Sequence, residues 1–541
     1  MINKYGYVLF GTSAINIILL QEGMCMNHLT ENIRHVTLDG ESLRIEQVVA
    51  AARFHARVSL SPKTFARIDA SRALVDKIVA EGRTVYGIST GFGEFSKITI
   101  SSDKSARLQE NLILSHCVAV GDPLNEETVR AMMLLRANAL SKGNSGIRRE
   151  IIETLVGMLN KGVTPVVPEQ GSLGASGDLA PLAHMALVLL GRGEATYKGK
   201  RMSGAEAMAK AKLPTFHLLA KEGLALINGT QCMTAIGTLA WYDLNRAAEL
   251  ADITASLTMQ ALTGLLSAFD PRIHAVRPHA GQSLVAKNMR VLCENSPSME
   301  RNRTLRVQDA YALRCIPQVH GAVRDALAHV RKVLETELNS VTDNPILFLD
   351  DESVISGGNF HGEPIALVMD YMSAAASELA NISERRMERM VNPALSNGLP
   401  AFLAPDGGIN SGYMICQYSA ASLVSENKVF AHPASVDSIP SSANQEDHVS
   451  MGTTAARNFR RIVNNLYSVL AFELMAAVQG IDLRKTCELS PAQQSVYDKV
   501  RAVVPFYEKD EEIHPMIEAL NRLIRTGEIE NDVKRLLPDF H

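Results

Sequence analysis

Over most of this chain apolar residues return every three to four positions, the spacing of one face of an α-helix. The pattern runs through Arg130–Leu140, Arg149–Leu159, Leu239–Leu262, Val319–Leu338, Pro364–Val391 and Met451–Gln479. Leu239–Leu262 and Leu466–Gln479 are apolar on most faces, as helices inside a bundle or a subunit interface are. Strand-like runs are few and short: His35–Leu38, Val85–Ile88 and Ile346–Leu349. The pattern predicts an all-α, mainly helical fold, with a long central bundle beside a smaller mixed N-terminal region. No internal repeat or low-complexity linker divides it. The expected organisation is an extension over residues 1–25, an N-terminal region over 26–220, a central bundle over 221–480 and a helical tail over 481–541. Pro505 and Pro515 punctuate that tail.

Composition narrows the partners. The 541 residues are 46% hydrophobic and 21% charged with a net charge of −4, enough apolar material for a large core. No basic excess points to nucleic acid or an anionic membrane surface. Seven scattered cysteines (Cys25, Cys117, Cys232, Cys293, Cys315, Cys416, Cys487) show no Cys-x-x-Cys spacing, so reduced thiols in a cytoplasmic protein are expected. Tyr7 to Leu20 is mostly apolar, but Gly11, Thr12, Ser13 and Asn16 interrupt it and no cleavage site follows. A disordered extension is expected there rather than a secretion signal, with Met24 and Met26 as alternative starts.

Several polar stretches break the helical pattern. Ala175-Ser176-Gly177, inside Gly171-Ser172-Leu173-Gly174-Ala175-Ser176-Gly177-Asp178, is chemically the most suggestive. Alone it reads as a turn. It can also cyclise: Gly177 nitrogen attacks the Ala175 carbonyl, and loss of two waters leaves a methylidene on an imidazolone ring, an electron sink that ordinary side chains lack. Thr84-Val85-Tyr86-Gly87-Ile88-Ser89-Thr90-Gly91-Phe92-Gly93 matches neither a Walker A loop nor a dinucleotide fingerprint, and a lid carrying Tyr86 between glycine hinges fits better. His361-Gly362-Glu363 lacks metal-ligand spacing, and no metal or nucleotide is expected.

The flanks of the tripeptide, with Asp178-Leu179-Ala180-Pro181-Leu182-Ala183-His184 following it, resemble the signature of the histidine, phenylalanine and tyrosine ammonia-lyases. The resemblance extends from about Val36 to about Leu520 and implies the helical fold of the fumarase and ammonia-lyase superfamily. The Gly-Ser-Ser-x-Met-Pro loop of the fumarase branch is absent. By the resemblance, Ala175, Ser176 and Gly177 form the methylidene-imidazolone group and Tyr86 is the catalytic base. Bringing a phenol from near 10 to neutrality takes roughly 4 kcal/mol of phenolate stabilisation, from backbone dipoles or a cation. Asn228, in Leu226-Ile227-Asn228-Gly229-Thr230, would hydrogen-bond the imidazolone oxygen. Arg314, in Gln308-Asp309-Ala310-Tyr311-Ala312-Leu313-Arg314, would clamp the substrate carboxylate with its planar fork. Tyr311 would lie near the amine, Gln308 near the carboxylate or prosthetic group, and Phe360 against that group. Ala312 and Ile316 depart from the family, which commonly has serine at the first and, in many histidine-acting members, glutamine at the second.

The substrate rests on a few positions. Leu114-Ser115-His116 carries Ser-His, the usual pattern of histidine-acting members, where phenylalanine-acting ones carry Phe-Leu and many tyrosine-acting ones His-Leu. Glu446, in Gln445-Glu446-Asp447-His448, and Met414 also fit histidine-acting relatives. An imidazole has two nitrogens wanting partners, which His116 and Glu446 could supply. The resemblance implies removal of ammonia from L-histidine to give urocanate. Tyrosine or phenylalanine ammonia-lyase and tyrosine aminomutase stay open, because some of them share these residues. A homotetramer whose active sites combine residues of three subunits is also implied.

Overall fold

Among the described residues four helices exceed twenty residues: Gln231–Ala261, Ile316–Leu338, Glu363–Val391 and Gly452–Arg484. They belong to a computed structural model that describes residues 30–91, 93 and 100–541. The extension over 1–25, and Phe92 of the tyrosine loop, lie outside the described residues. Gln231–Ala261 and Gly452–Arg484 run against each other, and Glu363–Val391 packs along the second of them. Nearly every residue of Gln231–Ala261 is buried. Proline in the first turn starts both Ile316–Leu338 and Glu363–Val391, where its missing N–H costs nothing. Gly452–Arg484 is long and apolar enough to cross a bilayer, yet 83% of its apolar window is buried within the protein, so here it is a core helix.

Charge inside this bundle is paired. Glu473 accepts from Arg386 Nε at 2.5 Å and Nη2 at 2.9 Å, and from Thr258 Oγ1 at 2.7 Å and Ser383 Oγ at 2.6 Å. All four oxygen contacts lie in the interior, so three long helices are joined by one satisfied carboxylate.

The strands form four small sheets among the described residues. His35–Leu38 pairs in parallel with Arg57–Leu60, and Ile346–Phe348 forms a hairpin with Ser353–Ile355. Val163–Pro165, Glu194–Tyr197 and Lys200–Ser203 make an antiparallel sheet, and Val120–Pro123 pairs with Pro168–Gln170. The expected strand at Val85–Ile88 is instead a run of turns. Ser89 Oγ accepts from Val85 N at 2.9 Å and donates to Arg83 O at 2.6 Å, closing the backbone on itself.

Candidate active site

The Ala175-Ser176-Gly177 loop lies between the Pro168–Gln170 strand and the Leu179–Leu187 helix, and both of its sides are pinned. Gly177 has φ +73°, and a Cβ there would lie 2.3 Å from Gly229 O, so only glycine fits. Next to it, Asp178 N donates to Gly229 O at 2.7 Å. The buried Asp178 carboxylate accepts from Cys232 N at 2.8 Å and Met233 N at 2.9 Å, in the first turn of the Gln231–Ala261 helix. Ser172 Oγ at 2.8 Å and the Thr453 hydroxyl complete its set. Burial pushes the Asp178 carboxyl up, and these hydrogen bonds pull it back. Across the loop, Ser450 Oγ donates to Gly174 O at 3.2 Å and Met451 N to Leu173 O at 3.1 Å.

Asn228 ends the short Glu222–Ile227 helix, and its Nδ2 donates to Ser176 O at 3.0 Å. That carbonyl oxygen is the one an imidazolone ring would retain. Beside it opens a cavity of about 1050 Å³ lined by Tyr86, His116, Ser176, Asn228, Phe360 and Glu446. A smaller one, about 250 Å³, is lined by Ala175, Ser176 and Gly177 and shares His116 and Glu446 with the first. The fold thus gathers five sequence-predicted residues from five separate segments around the tripeptide.

The electrostatics of the cavity are those of a half-dry site. Burial pushes the Glu446 carboxyl above the usual range, opposed by a hydrogen bond with Ser176. His116 is pushed down by burial and stays neutral, with Ser115 Oγ 3.0 Å from its Nδ1. Tyr86 is pushed up, first by burial and then by the Glu446 and Asp343 carboxylates, and only a backbone hydrogen bond at Gly93 pulls it down. A basic Tyr86 therefore needs a cation, and none acts on it among the described residues.

The remaining predicted residues lie elsewhere in the single chain. Gln308 and Arg314 line a separate cavity of about 370 Å³. Tyr311 is 71% exposed, with the Arg314 guanidinium 4.6 Å from its ring centre, and Arg314 Nε is buried without a partner. Met414 opens the Met414–Phe430 helix, half-buried and outside the main cavity's lining. Cavity residues that sequence reasoning missed include Asn111, Leu112 and Asn344. Leu112 lies four residues before His116 on the Ser102–His116 helix, so projecting that helix from His116 would have found it.

One cluster has a metal-like composition despite its sequence spacing. Ligand atoms of His361, Glu363 and His448 lie within 4.8 Å of one another. Glu363 N donates to His361 Nδ1 at 3.3 Å, and His361 Nε2 lies 3.2 Å from His448 Nδ1. A metal on His361 Nε2 would require a proton on Nδ1, where the Glu363 N–H already points. The arrangement is instead a hydrogen-bonded histidine pair, with His361 Nε2–H donating to His448.

This fold is shared with lyases and aminomutases of aromatic amino acids. The tyrosine aminomutase of Streptomyces globisporus superposes with a TM-score of 0.88 at 38% identity, covering 92% of this chain and 98% of that one. The histidine ammonia-lyase of Trypanosoma cruzi gives 0.87 at 44% identity, covering 93% and 96%. Residues 43–502 match the aromatic amino acid lyase family, and the chain belongs to that family. A curated relative, the histidine ammonia-lyase of Caldanaerobacter subterraneus subsp. tengcongensis, is 58% identical over 502 residues, which are 93% of this chain and 99% of the relative.

Proposed function

We propose that this chain removes ammonia non-oxidatively from L-histidine, giving trans-urocanate, with an electrophile formed from its own Ala175-Ser176-Gly177. The observation that carries the reading is the sharing of one cavity by Ser176, Tyr86, His116 and Glu446. The residues also fit the prosthetic group. Gly177 takes the left-handed bend with no room for a Cβ, and Ser176 O already receives the Asn228 amide. Forming the group makes a bond from Gly177 N to the Ala175 carbonyl carbon. The carbonyl oxygen leaves as one water and the Ser176 hydroxyl, with its Cα proton, as the other. Once formed, the group would supply an electron-poor carbon for the substrate amine.

The side chains have separate tasks. Tyr86 Oη takes the β-proton, and Asn228 Nδ2 stabilises negative charge at the Ser176 oxygen. The Glu446 carboxylate accepts an imidazole N–H and the neutral His116 partners the other nitrogen, which orients the ring. Arg314 clamps the carboxylate, Tyr311 and Gln308 accompany it, and Met414 and Phe360 pack the apolar surfaces. Because Gln308, Tyr311 and Arg314 lie away from the cavity in one chain, they serve the cavity of another subunit in a homotetramer. A neighbour's Arg314 would also bring a cation to Tyr86. The partners are small amino acids, and the cytoplasm suits six described cysteines that are all free.

The test is direct. Purified protein is incubated with L-histidine, L-tyrosine and L-phenylalanine while the ultraviolet band of the unsaturated acid is followed. Urocanate from histidine is expected. Coumarate, cinnamate or a β-amino acid, with no urocanate, would overturn the assignment.

A further inference from the structure

Arg136 lies in the middle of the Glu126–Ser141 helix and is completely buried. A guanidinium in such a place is expensive unless something uses its charge. Its hydrogen bonds all go to neutral oxygens of one short stretch. Nη1 donates to Asn228 O at 2.8 Å and to Gln231 Oε1 at 2.9 Å, and Nη2 donates to Ala225 O. The nearest anion is Asp343, whose Oδ2 instead holds Lys221 Nζ at 2.7 Å. Arg136, Lys221 and Asp343 thus bury two cations against one carboxylate. Burial lowers the Arg136 guanidinium to about 10, so it still carries its charge at neutral pH.

The stretch that Arg136 holds is the one that holds the reactive loop. A Cβ at Gly229 would meet Arg136 Nη1 and Gln231 Oε1 at 2.4 Å each, so the guanidinium closely abuts that backbone. On its other side the same backbone meets the loop. Gly229 O accepts from Asp178 N, and the Asn228 side chain donates to Ser176 O. We propose that Arg136 is a positioning residue for the Ala175–Gly177 loop: it fixes the Asn228–Gly229 backbone so that the Asn228 amide meets the Ser176 oxygen, and its uncompensated charge favours negative charge arising there. This rests on the function proposed above. Arg136 lies behind the backbone and does not line the substrate cavity, so it acts on formation and electronics of the group and not on substrate affinity.

The experiment compares wild type with Arg136→Met and Arg136→Lys for assembly size, the fraction of chains lacking two waters by intact mass, and kcat and KM for L-histidine. Arg136→Met is expected to assemble with most chains undehydrated. Arg136→Lys keeps the charge without the fork, and is expected to restore dehydration in part, with kcat lowered about 10²-fold and KM within about twofold of wild type. If the methionine variant does not fold, the lysine variant decides. A variant that assembles with complete dehydration and wild-type kcat overturns the role of Arg136, as does a loss confined to KM. Wild type without the two-water deficit overturns the function proposed above, and this role with it.

Discussion

In the proposed reaction, Glu446 is the residue on which substrate choice turns most sharply. Burial raises its carboxyl above the ordinary range, so it ionises only as pH climbs past that raised value. Only the ionised form accepts the imidazole N–H without offering a proton of its own. Thus kcat/KM for histidine is expected to rise with pH through the raised value. In Glu446→Gln that acid limb should vanish and KM should rise about 10–100-fold, the worth of one hydrogen bond to a charged group. A pH profile identical in shape to wild type would show that Glu446 does not face the substrate. Sequence alone singled out this residue because Gln445-Glu446-Asp447-His448 is a motif, and it singled out Ser176, Tyr86, Asn228 and His116, which line the same cavity, for the same reason. It did not reveal Arg136, whose setting depends on a backbone carbonyl about ninety positions away. Nor did it reveal the direction of the Tyr86 shift within the chain, which is set by burial and two carboxylates distant in sequence.

At the scale of elements, helical periodicity was readable wherever the buried face is apolar. It gave out where the buried face is polar. The pattern begins at Leu239, whereas the helix begins at Gln231. Its first two turns bury Gln231, Thr234 and Thr238, and Gln231 Nε2 finds Thr342 Oγ1 at 2.8 Å. The short strands escaped for a related reason. Val120–Pro123 is exposed throughout and carries a proline, leaving no alternation to read. The bundle's strongest polar joint, Glu473 with Arg386, was invisible because neither residue signals its partner. Glu473→Gln keeps the shape but leaves Arg386 buried beside a neutral group. It is expected to destabilise the protein by about 3–5 kcal/mol, read as a lowered denaturation midpoint, whereas an unchanged midpoint would mean that the pair contributes little to holding the helices together.

Taken as a whole molecule, the single chain separates the residues of the proposed site into two groups. The loop, Tyr86, His116 and Glu446 share one cavity, while Gln308 and Arg314 line another beside an apolar surface where Val307 is 96% exposed. Exposed apolar residues next to an unused arginine suit a surface that a second copy covers. Complementation reads this directly as chemistry. Tyr86→Phe and Arg314→Ala are each expected to yield almost no urocanate from L-histidine when purified alone. Co-expressed in equal amounts, they should form mixed assemblies with about one quarter of the wild-type rate, because each site draws its tyrosine and its arginine from different subunits independently. Mixed assemblies as inactive as either parent would contradict the account, since every site would then take both residues from one chain.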